Sequence, residues 1–247
     1  MNLKVNLYGD IFKHNLINGK ISSTQGKEPK HITYVNDGTG EINLFIDRSI
    51  HDVRKVDNGK KNFGWLMESR AVAPDLEDIW IDKENILNEF ENIFTYNKKL
   101  IDGDSRFKFL FPSGYWVEEF KNFEKTKLIS MVLSDKKFTP QQKARNKFAK
   151  KYKNQIDIFG SGHHYLYKKE IGLLNYNFSV VFENDIFDDY FTEKVLDCFA
   201  TKTIPIYSGT KNIVNYFDED GIIFLDDFKI SEINSTLYEE KFNAVEN

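Results

Sequence analysis

One cysteine in 247 residues excludes any internal disulfide framework. That residue, Cys198, falls among Val195, Leu196 and Phe199 in a helical pattern, which reads as buried packing and not as a reactive thiol. Positive charge is not in excess either. Lys and Arg number 34 against 38 Asp and Glu, so the basic stripe expected of a nucleic-acid binder is missing. No apolar run reaches the about 20 residues of a membrane-spanning helix, and the first residues carry no signal-peptide h-region. These absences set the expectation of a soluble, cytoplasmic protein without a transmembrane segment and without a nucleic-acid partner. Internal repeats and low-complexity stretches are also missing. What is present is an ordinary globular composition, with 22 Phe and 12 Tyr to make an aromatic-rich core.

The first half of the chain is ragged. Leu3 to Tyr8 alternates and ends at Gly9-Asp10, a strand and a turn. Residues 13–40 are polar with little periodicity. Strands are expected at Ile42 to Ile46, Phe63 to Met67, Ile93 to Tyr96 and Phe107 to Phe111, with a helix capped by Asp82 and running to about Asn92. Pro112 to Lys125 reads as a hinge. Beyond it the alternation is clean: strands at 127–133, 156–159, 178–182, 203–207 and 222–225. Helices are expected between them at 140–152, 165–174, 189–200 and 211–216, and a last one at 231–242. Pro140 suits a first helical turn. Strands alternating with helices at this spacing imply parallel βαβ units in a doubly wound sheet.

The densest polar chemistry lies between Phe178 and Gly209. An apolar run ends at Glu183-Asn184, an acidic loop follows, and a helical pattern starts near Tyr190. In open α/β sheets, ligands bind beyond the carboxyl ends of strands, beside helix N-termini that favour anions. A nucleotide diphosphate needs such a terminus together with one or two cations. Lys194 and, in the earlier helix, Arg145 are placed for that. Tyr190, Glu193 and Lys194 stand at i, i+3 and i+4, so they share one face of the expected helix. A solvated helix face with an incidental Glu-Lys pair explains the same spacing equally well. Asp185, Asp188 and Asp189 read as a solvated acidic loop before a metal site, and His163-His164 as structural residues following Gly160-Ser161-Gly162.

Phe182-Glu183-Asn184, then Tyr190, Thr192-Glu193-Lys194 and Ile204-Pro205-Ile206-Tyr207-Ser208-Gly209 resemble the donor-binding motif of glycosyltransferase family 10, the α-1,3-fucosyltransferases. Arg145-Asn146 upstream and Asp227-Phe228 downstream are similar to further family positions, in the same order. The resemblance covers about 127–228. It implies an α/β, GT-B-like fold with two Rossmann-like domains facing a central cleft: 1–117 on the acceptor side and 118–247 binding the donor. It also implies an inverting glycosyltransferase moving fucose from GDP-fucose to a hydroxyl of a glycan acceptor, with no metal or other cofactor. By the same resemblance Arg145 and Lys194 hold the diphosphate, and Asn184, Tyr190 and Glu193 line the pocket. Glu183 either touches the donor or orients the loop from below.

The first half departs further from the family pattern. A general base is needed there. Glu68, closing the strand at 63–67, and Asp10 are the two candidates, because the segment from Phe94 to Lys99 holds no carboxylate where the family has one. Ser208 stands where the family has tryptophan. Two alternatives follow: the same scaffold using another nucleotide sugar, or a nucleotide-sugar or glycan-binding protein that lost its base.

Overall fold

The computed structural model describes residues 2–9, 30–76, 85–117 and 123–246. Backbone contacts divide the chain into two units, Met1–Gly114 with Asp188–Tyr190, and Tyr115–Phe187 with Phe191–Asn247. Each is built on one wholly parallel sheet.

The first sheet runs in the order β2-β1-β3-β4-β5-β6. Its strands are β1 (Leu3–Tyr8), β2 (Ile32–Val35), β3 (Ile42–Ile46), β4 (Asn62–Leu66), β5 (Asn92–Thr95) and β6 (Phe107–Phe109). Phe45, Ile50, Leu66, Ile93 and Phe107 make the core beside it. Inside the sheet, Asn6, Asn43 and Asn62 sit side by side in register and hydrogen-bond through their amides, at 2.9 and 2.8 Å. A buried amide ladder of this kind replaces apolar residues at those positions, since each polar group finds a partner. That is why these strands look ragged in sequence. β2, a four-residue edge strand in a polar stretch, was not expected at all. The expected helix from Asp82 begins outside the described residues; its described part is a single 3₁₀ turn at Ile86–Glu89, followed at once by β5. A short helix not foreseen in the sequence, α1 (Lys98–Gly103), is capped by Asn97, whose side chain accepts from Lys99 N.

The second sheet has the order β11-β10-β9-β7-β8, with β7 (Lys127–Leu133), β8 (Asp157–Gly160), β9 (Tyr176–Phe182), β10 (Ile204–Ser208) and β11 (Ile223–Phe224). All seven residues of the central β9 are buried, as a strand covered on both faces requires. Helix α2 (Pro140–Tyr152) starts as its sequence dictates. Thr139 caps it, Pro140 takes the first turn, and Gln142 closes a capping box by accepting from Phe138 N and Thr139 N. Helix α4 (Ser235–Glu246) closes the chain a turn later than its pattern suggested, Tyr238 packing on Phe178.

Three helical expectations are corrected. The segment at 165–174 holds only a 3₁₀ turn at Lys169–Gly172; just before it His164 pairs with the end of β8, its N donating to Ile158 O and its O accepting from Gly160 N. Helix α3 spans Glu193–Ala200, with Thr192 as its cap, so Tyr190 lies before the helix and does not share a face with Glu193 and Lys194. The turn at Lys211 is likewise 3₁₀, over Lys211–Asn215.

Candidate functional site

In sheet orders of this kind, the loops from neighbouring strands diverge where the order reverses, and ligands bind at that switch point. In the second unit the switch lies between β7 and β9. Their carboxyl ends lead into Ser134 and into Glu183-Asn184, and this edge also carries the starts of α2 and α3.

Arg145, on α2, is 6% exposed. Its Nη2 donates to Ser134 O at 2.9 Å and Ser134 Oγ at 3.1 Å, while its Nε is buried and has no partner among the described residues. Burial lowers its pKa, but a guanidinium remains charged. Among the described residues no carboxylate pairs with it. A buried cation with an unused donor and no counter-ion is suited to an anion.

Glu183 is buried, and its carboxylate faces Thr192 and Lys194. One of its carboxylate oxygens accepts from Thr192 N at 2.9 Å; the other accepts from Thr192 Oγ1 at 2.7 Å and lies 3.4 Å from Lys194 Nζ. It therefore holds the start of α3, in keeping with the orienting role that was one of its two expected readings. Lys194 Nζ also donates to Thr192 Oγ1 at 2.7 Å. Glu193 lies between Lys194 and Lys169, at 3.5 and 3.8 Å. Burial raises its pKa, but the two lysines and nearby hydrogen bonds outweigh that and the net shift is downward.

Lys169 itself anchors α3 by pairing at 2.5 Å with Asp197, whose side chain is wholly buried and also accepts from Trp116 N and Val117 N. Neither Lys169 nor Asp197 was singled out from sequence. A carboxylate set between Leu196 and Cys198 on the buried face of a helix was the available signal. Cys198 is buried, and burial pushes its thiol up to about 12, as expected of packing.

Asn184 Oδ1 accepts from Gln142 Nε2 at 3.2 Å, and Gln141 Nε2 donates to Ser208 Oγ at 3.0 Å. The loop after β10 needs glycine at 209, because a Cβ there would lie 2.2 Å from the buried Tyr207 hydroxyl. Gly160 has φ +109°, and a Cβ would come within 1.9 Å of Leu133 O, so the end of β8 is held tightly against β7. The His164 ring packs on Phe159. Among the described residues, no group of three or more His, Cys, Asp or Glu is placed to hold a metal.

The first unit holds acids at the corresponding edge. Asp47, Glu68 and Tyr96 leave the carboxyl ends of adjacent strands β3, β4 and β5. Glu68 lines a small pocket with Arg70, Tyr96 and Asn97, and its backbone carbonyl accepts from Tyr96 Oη at 3.1 Å. Tyr190 is fully buried, its ring 5.1 Å from that of Tyr96; this packing replaces its expected place on α3. Asp10 lies outside the described residues.

Comparison with known proteins bears on both units. Residues 122–241 match the family described as glycosyltransferase family 10 (fucosyltransferase), C-terminal part. A crystal structure of an α1,3-fucosyltransferase superposes with a TM-score of 0.58 at 17% identity, covering 98% of this chain and 80% of that one. The chain resembles the family 10 fucosyltransferases. A second α1,3-fucosyltransferase structure, with GDP-fucose, gives a TM-score of 0.53 at 16% identity and covers 99% of this chain and 77% of that one. At such identities the likeness is one of fold, and the fold is the α/β, GT-B-like one expected, with two Rossmann-like parallel sheets. The α-(1,3)-fucosyltransferase FucT of Helicobacter pylori is 37% identical over 57 residues, which is 23% of this chain and 12% of that protein. Among the described residues no helix is long and apolar enough to cross a membrane.

Proposed function

We propose that this chain is an inverting glycosyltransferase that moves fucose from GDP-fucose to a hydroxyl of a glycan acceptor. Within it, residues 118–247 bind the donor and 1–117 face the acceptor. One observation carries the donor assignment: among the described residues, Arg145 is a buried cation with an unused Nε and no counter-ion, at the switch point where Lys194 heads α3. The diphosphate takes that vacancy. Arg145 and Lys194 neutralise charge building on the departing GDP, which is the role otherwise given to a metal ion. Asn184 and Glu193 stand at the same edge to accept hydroxyls of ribose and sugar. Glu193, held ionised between two lysines, is a good bidentate acceptor.

Single displacement at the anomeric carbon forms one bond from the acceptor oxygen and breaks the bond to GDP, and a base removes the hydroxyl proton. Glu68 is the base in this proposal. Support comes from the match to family 10 over 122–241 and from the fold shared with α1,3-fucosyltransferases solved with GDP-fucose and GDP.

Transfer is tested with labelled GDP-fucose, GDP-mannose and UDP-sugars against a broad glycan array. Turnover should be largest with GDP-fucose. Preference for another nucleotide sugar would redirect the donor assignment to the scaffold's alternative use. Binding of GDP without transfer or donor hydrolysis would make the chain a binding module.

A further inference from the structure

Asp47 was not singled out from sequence, and the donor chemistry does not use it. It is 1% exposed and stands where β3 ends, at the switch point between β1 and β3 of the first sheet. Its backbone is in the left-handed region, with φ +47°, a conformation that Asp and Asn tolerate better than other non-glycine residues. One carboxylate oxygen accepts from both Met67 N, at 2.7 Å, and Glu68 N, at 3.1 Å. The second oxygen is buried and has no partner among the described residues. Strained backbone and a half-satisfied buried carboxylate together destabilise the fold unless something offsets them. Such features concentrate at sites where geometry is held for chemistry.

We propose that Asp47 is a positioning residue for Glu68, clamping the two amides that present it and coupling its own ionisation to that of Glu68. The inference rests on Glu68 being the base. Charge on Asp47 strengthens both amide contacts and makes Glu68 the stronger proton acceptor. Burial pushes the Asp47 carboxyl up to about 7, and the Glu68 charge adds to that, while the two amides and Arg48 pull it down. Arg48 is itself held by Asp75 at 2.6 Å, and Arg70 and Tyr96 line the Glu68 pocket. Reciprocity requires that Asp47 act on Glu68 as Glu68 acts on Asp47, so the titration belongs to the pair.

Asp47→Asn separates positioning from charge, because the amide oxygen still accepts from both N–H groups and Asn tolerates the left-handed backbone. Carboxyl-carbon NMR of the isotope-labelled protein, with Glu68 assigned through Glu68→Gln, should show the Glu68 signal responding to a second ionisation near neutral pH. That inflection should vanish in Asp47→Asn. The pH profile of kcat/KM should rise through the same region in wild type and be flat there in the variant, with GDP affinity unchanged in both. Asp47→Ala, which removes the clamp, should lower kcat at unchanged KM for the donor. Superimposable NMR titrations and pH profiles in wild type and Asp47→Asn would overturn the proposal. Coupled NMR titrations in a protein that transfers no sugar would instead keep the pair and remove Glu68 as a base.

Discussion

The two units share an architecture and differ in charge. Both are parallel sheets in which the first strand of the unit has its second and third strands on either side of it. At the carboxyl edge the first unit presents Asp47 and Glu68, and the second presents Arg145 and Lys194. A sheet edge of this kind supplies a place for ligands without deciding which; the side chains at the strand ends decide. In the first unit the acids suit removal of a proton, and in the second the cations suit a diphosphate. The division of labour proposed above is read from that contrast.

The contrast can be broken most strongly in the first unit. Glu68→Gln should lower transfer by about 10²–10⁴-fold, the usual worth of a general base, or roughly 3–5 kcal/mol of barrier. A variant with wild-type turnover would remove Glu68 from the chemistry.

The acids also have a cost that depends on pH. Burial pushes the Asp47 carboxyl up to about 7 from about 3.9 in an unfolded chain, so the fold favours its protonated form. Stability from this group is therefore complete below pH about 4 and is lost as pH rises through about 7, by on the order of 4 kcal/mol. Urea unfolding from acid to mildly alkaline pH should show wild type losing stability in that window relative to Asp47→Asn. Parallel curves would show that the carboxyl is not held protonated.

Smaller effects are expected in the second unit. Lys194→Ala should weaken GDP binding by about 1.5–3 kcal/mol, the value of a hydrogen bond to a charged group, discounted towards the lower end because Lys194 is partly exposed. Its loss should leave Glu183 held by Thr192, so thermal unfolding should change less than binding does.

How much of this was legible in sequence follows the same contrast. β7, β9 and α2 were read at or near their true bounds, because buried parallel strands form continuous apolar runs and because Thr139-Pro140-x-Gln142 is a complete helix-start signal. The start of α3 was misplaced by four residues: its pattern continues back to Asp189, but Tyr190 is taken by Tyr96 and Thr192 by Glu183. Both are tertiary contacts that no local pattern records. In the first unit an asparagine ladder hides the strands, and β2 lies in a polar stretch at the sheet edge. Asp47 looks like any acidic residue after a strand. Its significance needs the strand order, which sets β3 beside β4 and thereby brings Asp47 to the Glu68 amides.

The central claim is that the second unit holds a nucleotide diphosphate through Arg145 and Lys194 while the acids of the first unit do not contribute to that binding. Calorimetric titration of GDP and UDP into wild type, Arg145→Ala, Lys194→Ala and Glu68→Gln tests it directly. GDP should bind more tightly than UDP, lose about 10–100-fold in affinity in each of the first two variants, and keep its affinity in Glu68→Gln. Tighter UDP binding, or GDP affinity unchanged in both Arg145→Ala and Lys194→Ala, would contradict it.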